Sequence, residues 1–300
     1  MKTGDNPVPG VPETLAPGIV RIVAPNPSPM TYWGTNAYLL GESDLVVIDP
    51  GPDLPAHYEA LLAAMAGRRV SHILVTHSHL DHSPLAARLA AQTGAPVCAF
   101  GRSTDGRSAM MTSLAQGGLV GGGEGLDHAF APDVTLADGA VIDSGAGPIT
   151  ALHTPGHIGN HMCFLWQDGL FCGDHVMGWA SSLVSPPDGD LGDFLASCAR
   201  LSQTRASRFF PGHGATIDTP RARLDWLVQH RHSRTRAILA ALGQGPADAR
   251  SLTLHIYRET PAALLKAAER NVLAHLLHLH DKGQVRPDGA LHVQSVFRLV

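Results

Sequence analysis

The stretch that decides the fold is Thr76-His77-Ser78-His79-Leu80-Asp81-His82-Ser83. It places three imidazoles and one carboxylate within six residues, directly after an apolar strand-like run and directly before a helical pattern. In an extended segment His77 and His79 project to the same side, whereas Asp81 and His82 lie where the chain turns into the helix. The two pairs therefore face two different points, and one short cluster can serve two metal ions. The competing interpretation is a set of surface histidines in a polar loop.

Three further candidate ligands occur singly downstream: His157, Asp174 and His213, each preceded by a glycine. A lone histidine in a glycine-rich turn is weak evidence, because most such side chains are solvated or hydrogen-bonded. The three residues together are stronger evidence for a metal site. A glycine lets the backbone come close to the site, and strand-end loops are where a rigid sheet brings side chains together.

The apolar periodicity of residues 1–220 predicts strands alternating with short helices and glycine-rich turns. The predicted strands cover residues 44–49, 70–76, 95–100, 149–153, 161–166 and 170–172. The predicted helices cover residues 54–66, 83–92 and 191–204. Between them, residues 101–125 have weak periodicity, and we interpret them as a long loop with at most one short helix.

The charge and the pattern both change near residue 220. Residues 1–220 carry 10 Lys and Arg against 20 Asp and Glu, a net charge of −10, whereas residues 221–300 carry 12 against 6, a net charge of +6. Helical patterns at 221–242, 247–257 and 261–282 precede a hairpin at 285–293 with Asp288-Gly289 at its turn. The sequence thus predicts two domains, 1–220 and 221–300, the second resembling a winged helix. Its basic character indicates either an appendage to an acidic catalytic body or a solvated arginine-rich helical face.

Composition excludes several classes of protein. The 300 residues are 44% hydrophobic, which excludes wholesale disorder. The four cysteines form no CxxC pair, which excludes a disulfide-stapled mini-protein and an all-cysteine zinc finger. Cysteine usage favours a reducing compartment. With no signal peptide and no apolar run long enough for a membrane span, we expect a cytoplasmic protein.

The cluster at 77–82, followed in order by His157, Asp174 and His213, resembles the metallo-β-lactamase-fold hydrolase superfamily. The resemblance implies an α/β protein, an αβ/βα sandwich with helices outside two facing sheets and a dinuclear site at one edge. It also implies that one metal is bound by His77, His79 and His157, that the second is bound by Asp81, His82 and His213, and that Asp174 bridges both. We assign catalytic as well as ligand roles to Asp81 and Asp174.

A narrower resemblance, to the β-lactamase-like protein 2 branch of that superfamily, covers most of the chain. The stretches that carry it are residues 34–41, 47–51, 173–178, 185–191 and the tail from 230 to 276. This branch resemblance implies a C-terminal winged-helix domain. It also implies an endoribonuclease that hydrolyses phosphodiesters of single-stranded RNA.

Imidazole and carboxylate ligands without thiolates suit Zn²⁺ and also admit Mn²⁺ or Fe²⁺. Two such ions can lower the pKa of a bridging water toward neutrality and supply hydroxide as the nucleophile, which attacks carbon or phosphorus alike. The acidic body and the lack of any Lys or Arg at residues 120–199 disfavour a polyanion. We therefore expect a dinuclear hydrolase that attacks a small carbonyl substrate of the thioester, lactone or β-lactam class, with RNA as the alternative.

Three expectations concern the surroundings of this site. Asp49 ends a predicted strand and is expected to hydrogen-bond a ligand histidine. Tyr32 and Trp33 are expected at the substrate rim. The basic tail is expected to cover the active-site edge or to form a homodimer contact. A nucleic-acid-binding protein with a vestigial metal domain is a third hypothesis, which the complete set of seven ligands disfavours.

Overall fold

The computed structural model describes residues 6–122, 125–292 and 294–300. Within these residues a first sheet has seven strands that follow one another in chain order. They are β1 (Glu13–Ala16), β2 (Ile19–Val23), β3 (Asn36–Leu40), β4 (Asp44–Ile48), β5 (Arg69–Leu74), β6 (Val97–Ala99) and β7 (Val134–Thr135). Strands β1 to β4 pair antiparallel, and β4 to β7 pair parallel.

Helices connect the parallel strands, as parallel pairing requires. They are α1 (Pro55–Met65), α2 (Leu85–Thr93) and α3 (Ala109–Gln116). The first begins with a proline at its N-terminal turn, and the second ends at Gly94, whose φ of 74° lies in the left-handed region that glycine adopts freely. The short helix expected in residues 101–125 is therefore α3; residues 123–124 lie outside the described residues.

A second sheet has the order β12-β11-β10-β9-β8 in the described part of the chain. Its strands are β8 (Val141–Ser144), β9 (Gly147–His153), β10 (Met162–Trp166), β11 (Gly169–Gly173) and β12 (Arg208–Pro211). Helix α4 (Leu191–Leu201) makes the crossover between the parallel strands β11 and β12. The side chain of Asp190 caps its N-terminus by accepting from the backbone N–H of Gly192 at 2.8 Å.

The two sheets pack face to face. Successive side chains along a strand point to opposite faces, so one set of apolar residues meets the other sheet and the next set meets the helices. On β3, Tyr38 and Leu40 pack with Phe164 and Phe171 of the second sheet, whereas Leu39 packs beneath α1 and α2. Helix α4 covers the outer face of the second sheet. The predicted αβ/βα sandwich is confirmed, and the predicted strands and helices of residues 44–204 form within three residues of their expected ends.

The C-terminal region contains α5 (Pro220–Leu242), α6 (Ala249–Ile256), α7 (Leu265–Asp281), β13 (Val285–Pro287) and β14 (Phe297–Leu299). Helix α5 contributes Leu224 and Leu227 to the core beside the second sheet, and Ile238 and Leu242 to a separate helical core. One helix thus links the two cores.

The predicted hairpin at 285–293 was wrong in its second strand. Val285–Pro287 pairs antiparallel with Phe297–Leu299, beyond the Asp288-Gly289 turn, and residues 290–292 are not a strand. Residue 293 lies outside the described residues. Phe297 explains the pairing, because its side chain is fully buried in the helical core and its backbone pairs with Ala247.

The four cysteines are all free and buried. Across the described ranges, we find no helix with both the length and the apolar character of a membrane span.

Candidate metal centre

The seven candidate residues all lie at strand ends along one edge of the sandwich. The cluster from His77 to His82 follows β5, and His157 lies in the loop between β9 and β10. Asp174 follows β11, and His213 follows β12. The structure brings all seven together in the two groups that the resemblance implied. One group holds His77, His79, His157 and Asp174, and the other holds Asp81, His82 and His213.

The first group points three imidazole nitrogens at one place. Nε2 of His77 lies 3.0 Å from Nδ1 of His79, and Nε2 of His157 lies 3.1 Å from the same atom. Burial lowers the pKa of all three rings, that of His79 to about 3, so they are neutral. Convergent neutral imidazoles present lone pairs, which is the arrangement that a divalent cation needs.

The second group joins two imidazoles to a carboxylate. Nε2 of His213 and Nε2 of His82 lie 3.2 Å and 3.3 Å from Oδ2 of Asp81. Asp174 lies between the groups, with Oδ2 3.2 Å from Nε2 of His213 and 3.8 Å from Nε2 of His157. Asp174 therefore lies within reach of both groups.

Electrostatics favour cations here. Burial alone raises the pKa of Asp81 and Asp174, but the adjacent rings of His82 and His213 hold both carboxyl groups ionised with pKa values well below the usual range. For His213 burial has the opposite sign and lowers the pKa, but the carboxylates of Asp174 and Asp81 raise it to about 10. Two buried carboxylates thus attract positive charge, which divalent ions supply when they replace the ring protons.

Unsatisfied polar atoms show that these residues fit a metal. Oδ1 of Asp81, Oδ1 of Asp174, Nε2 of His82 and Nε2 of His213 are buried and have no hydrogen-bond partner. Buried polar atoms are normally paired. Four such atoms in one place, together with the three convergent imidazoles, define a candidate dinuclear metal site.

The opposite ring nitrogens are held by acceptors that fix the tautomers. Nδ1 of His82 donates to Asp49 at 3.0 Å, Nδ1 of His157 to the Leu183 carbonyl at 2.7 Å, and Nδ1 of His213 to the Gly34 carbonyl at 3.2 Å. Carbonyl and carboxylate oxygens only accept, so each ring carries its proton on Nδ1. The lone pair of Nε2 therefore faces the metal site in neutral His157, and it does so in His82 and His213 once a metal ion replaces the Nε2 proton. The expected contact of Asp49 is confirmed.

The expected advantage of a glycine beside a ligand is visible at Gly212. A Cβ atom at this position would lie 2.3 Å from Oδ1 of Asp174 and 2.7 Å from a ring carbon of His82. Any larger residue would push these two groups out of place.

The sequence did not predict two residues that contribute to the site. Thr35 donates its hydroxyl proton to Oδ2 of Asp81 at 2.9 Å, and Trp179 extends an aromatic stack that begins with Tyr32 and Trp33. The ring centroids lie 4.7 Å apart for Tyr32 and Trp33 and 4.8 Å apart for Tyr32 and Trp179. The stack is adjacent to the second group, because Trp179 lies against Gly214, the residue after His213.

The comparisons with known proteins agree with this geometry. The family model of the metallo-beta-lactamase superfamily matches residues 30–213, and that of the beta-lactamase associated winged helix domain matches residues 249–292. The chain therefore belongs to the metallo-beta-lactamase superfamily. It is a hydrolase with a C-terminal winged-helix domain.

Among its relatives is a beta-lactamase-like protein 2 homolog from Drosophila melanogaster, 30% identical over 91% of each chain. An atrochrysone carboxyl ACP thioesterase from Aspergillus fumigatus is 30% identical over 78% of this chain and 69% of its own. Among solved structures, a metallo-beta-lactamase family protein from Thermus thermophilus superposes with a TM-score of 0.76 at 26% identity, covering 96% of this chain and all of its own.

Proposed function

We propose that this hydrolase binds two divalent ions, preferably Zn²⁺, and hydrolyses a carbonyl substrate of the thioester, lactone or β-lactam class. His77, His79 and His157 would hold one ion, Asp81, His82 and His213 the other, and Asp174 both. Zn²⁺ is preferred because buried imidazoles and carboxylates, without thiolates, are ligands that suit this ion. When bound, the ions would supply an activated water and polarise the carbonyl oxygen.

The hydrogen bonds of the arginines near the site are the observation that favours an uncharged carbonyl substrate. Four arginines that contact the segments following Asp174 and His213 each donate at least one N–H to a protein acceptor: Arg21 to the Gly214 carbonyl, Arg107 to Asp188, Arg223 to the carbonyls of Met177 and Ala180, and Arg270 to the Pro186 carbonyl. A phosphodiester needs cations that remain available to its oxygens. An uncharged carbonyl substrate does not.

The chain's own residues have three tasks in this reaction. The Nδ1–H bonds of His82, His157 and His213 orient the ligand rings. Thr35 donates to Asp81 and thereby fixes which oxygen of this carboxylate faces the site. The stack of Tyr32, Trp33 and Trp179 offers an apolar wall to an acyl group. The thioesterase among the relatives makes an acyl thioester the first substrate to test.

The alternative proposal is cleavage of single-stranded RNA. One observation favours it, because stacked aromatic rings beside a metal site also accept unpaired bases. RNA carries phosphate charges, so its cleavage should weaken steeply with salt, whereas hydrolysis of a neutral ester should not.

The deciding experiment is a substrate panel. The full chain, reconstituted with Zn²⁺, is assayed against an acyl thioester, a lactone, a β-lactam and single-stranded RNA. Asp174→Ala serves as the inactive variant, and Asp225→Ala, an exposed carboxylate on α5, serves as its matched control. We expect turnover of at least one carbonyl substrate by the wild type and by Asp225→Ala, and its loss in Asp174→Ala. Turnover of RNA alone would overturn the proposal.

A further inference from the structure

The segment between β11 and α4 passes directly beside the first metal group. Its residue Leu183 accepts the Nδ1–H of His157 through its carbonyl at 2.7 Å. This bond sets the tautomer of His157 and the direction of its Nε2. The position of a ligand therefore depends on the position of one loop carbonyl.

The residues on both sides of Leu183 are held by the C-terminal helices. Arg231 of α5 donates from Nη2 to the Ser182 carbonyl and from Nη1 to Oδ1 of Asn271 at 2.8 Å. The same Oδ1 of Asn271, on α7, accepts the backbone N–H of Val184 at 3.1 Å. Two helices thus hold the peptide groups that flank the carbonyl which orients His157.

Arg231 is the less expected member of this arrangement. It is only 2% exposed, and its guanidinium lies 5.0 Å from the ring centre of Phe194. Within the described residues, its Nη1 and Nη2 donate to neutral oxygens rather than to a carboxylate, and its buried Nε has no hydrogen-bond partner. Burying a guanidinium costs free energy unless its hydrogen bonds are well formed. The hydrogen bonds of Nη1 and Nη2 offset part of this cost, and the same bonds fix the loop.

We propose that Arg231 and Asn271 are positioning residues that fix His157 for the first metal ion through the carbonyl of Leu183. The C-terminal domain thereby completes a metal site whose ligands all belong to the sandwich. The proposal rests on the metal occupancy in the proposed function and is independent of the substrate class. It also gives part of the positive charge of the tail a role inside the protein.

The test measures metal affinity in the full chain. Wild type, Arg231→Gln, Arg231→Lys and Asn271→Ala are titrated with Zn²⁺ against a chromophoric chelator, and with Co²⁺ while the visible absorption of each site is recorded. Arg234→Gln is the matched control, because Arg234 lies one turn further along α5 and packs over Tyr257 at 4.7 Å. Circular dichroism reports whether each variant is folded.

We expect Arg231→Gln and Asn271→Ala to bind the first ion about 10- to 100-fold more weakly, with a changed Co²⁺ spectrum at that site only. Arg231→Lys should recover part of the affinity, since it retains a donor, and Arg234→Gln should match the wild type. Wild-type affinity at both sites in folded Asn271→Ala and Arg231→Gln would overturn the inference, as would equal weakening of both sites. If Arg231→Gln does not fold, Asn271→Ala decides. A wild type that binds no metal would instead refute the proposed function.

Discussion

Asp49 accepts the Nδ1–H of His82 at 3.0 Å and so joins the end of β4 to the metal-ligand cluster that follows β5. The same carboxylate accepts the backbone N–H and the hydroxyl of Thr76, each at 2.7 Å. Asp49 has a φ of 49°, in the left-handed region that few residues other than Gly, Asn and Asp adopt readily. Its position is thus fixed by backbone and side chain together.

This relationship predicts a specific loss in Asp49→Asn. Asparagine tolerates the left-handed backbone and can still accept the Thr76 N–H, but it removes the negative charge facing His82. We expect about 10- to 100-fold weaker binding of the second metal ion, with the first ion less affected, measured by competition with a chelator. Asp53→Asn, in the exposed turn that follows, is the control. Unchanged affinity in Asp49→Asn would show that Asp49 does not orient His82.

The aromatic stack predicts a change in substrate binding. Trp179→Ala removes one outer ring from Tyr32 without touching a candidate ligand. We expect KM for an acyl substrate to rise by about 10-fold, equivalent to about 1.4 kcal/mol, with kcat changed less than about twofold. Trp179→Phe should retain most of the affinity. Steady-state kinetics that show a loss confined to kcat would contradict a binding role.

His57 on α1 predicts a pH dependence of stability. Its side chain is fully buried, and burial lowers its pKa to about 4. The unfolded chain takes up this proton near pH 6.5, whereas the folded chain does so only near pH 4. Above about pH 6.5, His57 is neutral in both states and does not lower the free energy of unfolding. As the pH falls from about 6.5 to about 4, the free energy of unfolding decreases by about 3 kcal/mol because of this group.

His57→Leu removes that titration. The free energy of unfolding is measured with urea at several pH values. The difference between the variant and the wild type should shift by about 3 kcal/mol in favour of the variant between about pH 7 and pH 4. If the free energy of unfolding changed with pH in the same way for both proteins, His57 would have the same pKa in the folded and unfolded chain.

Six of the twelve strands in the two sheets, namely β4, β5, β6, β9, β10 and β11, were predicted because they are contiguous apolar runs. Strands β1, β2, β3, β7, β8 and β12 were not predicted. Two of the differences have a clear physical cause. Strand β7 consists of the two exposed residues Val134 and Thr135, which leave no apolar pattern to detect. The last hairpin was placed too early because the Asp288-Gly289 signal is local, whereas the pairing of Phe297 is decided by its burial against distant helices.

The candidate ligands were predictable because four lie in one short stretch and three follow a glycine. Their supporting groups were not. The carbonyl of Leu183 has no side-chain signature, and Thr35 lies 46 residues before Asp81 in the chain. Arg231 belongs to a basic helix whose sequence equally fits a solvated face, and only the fold shows it buried.

The most direct test of the proposed dinuclear hydrolase is the rate of carbonyl hydrolysis as metal is added back to the metal-free protein. We expect the rate with the best carbonyl substrate of the panel to rise until two Zn²⁺ per chain are bound and to be constant thereafter. Asp174→Ala should stay inactive at every ratio. A full rate at one ion per chain, or without metal, would contradict the two-metal mechanism.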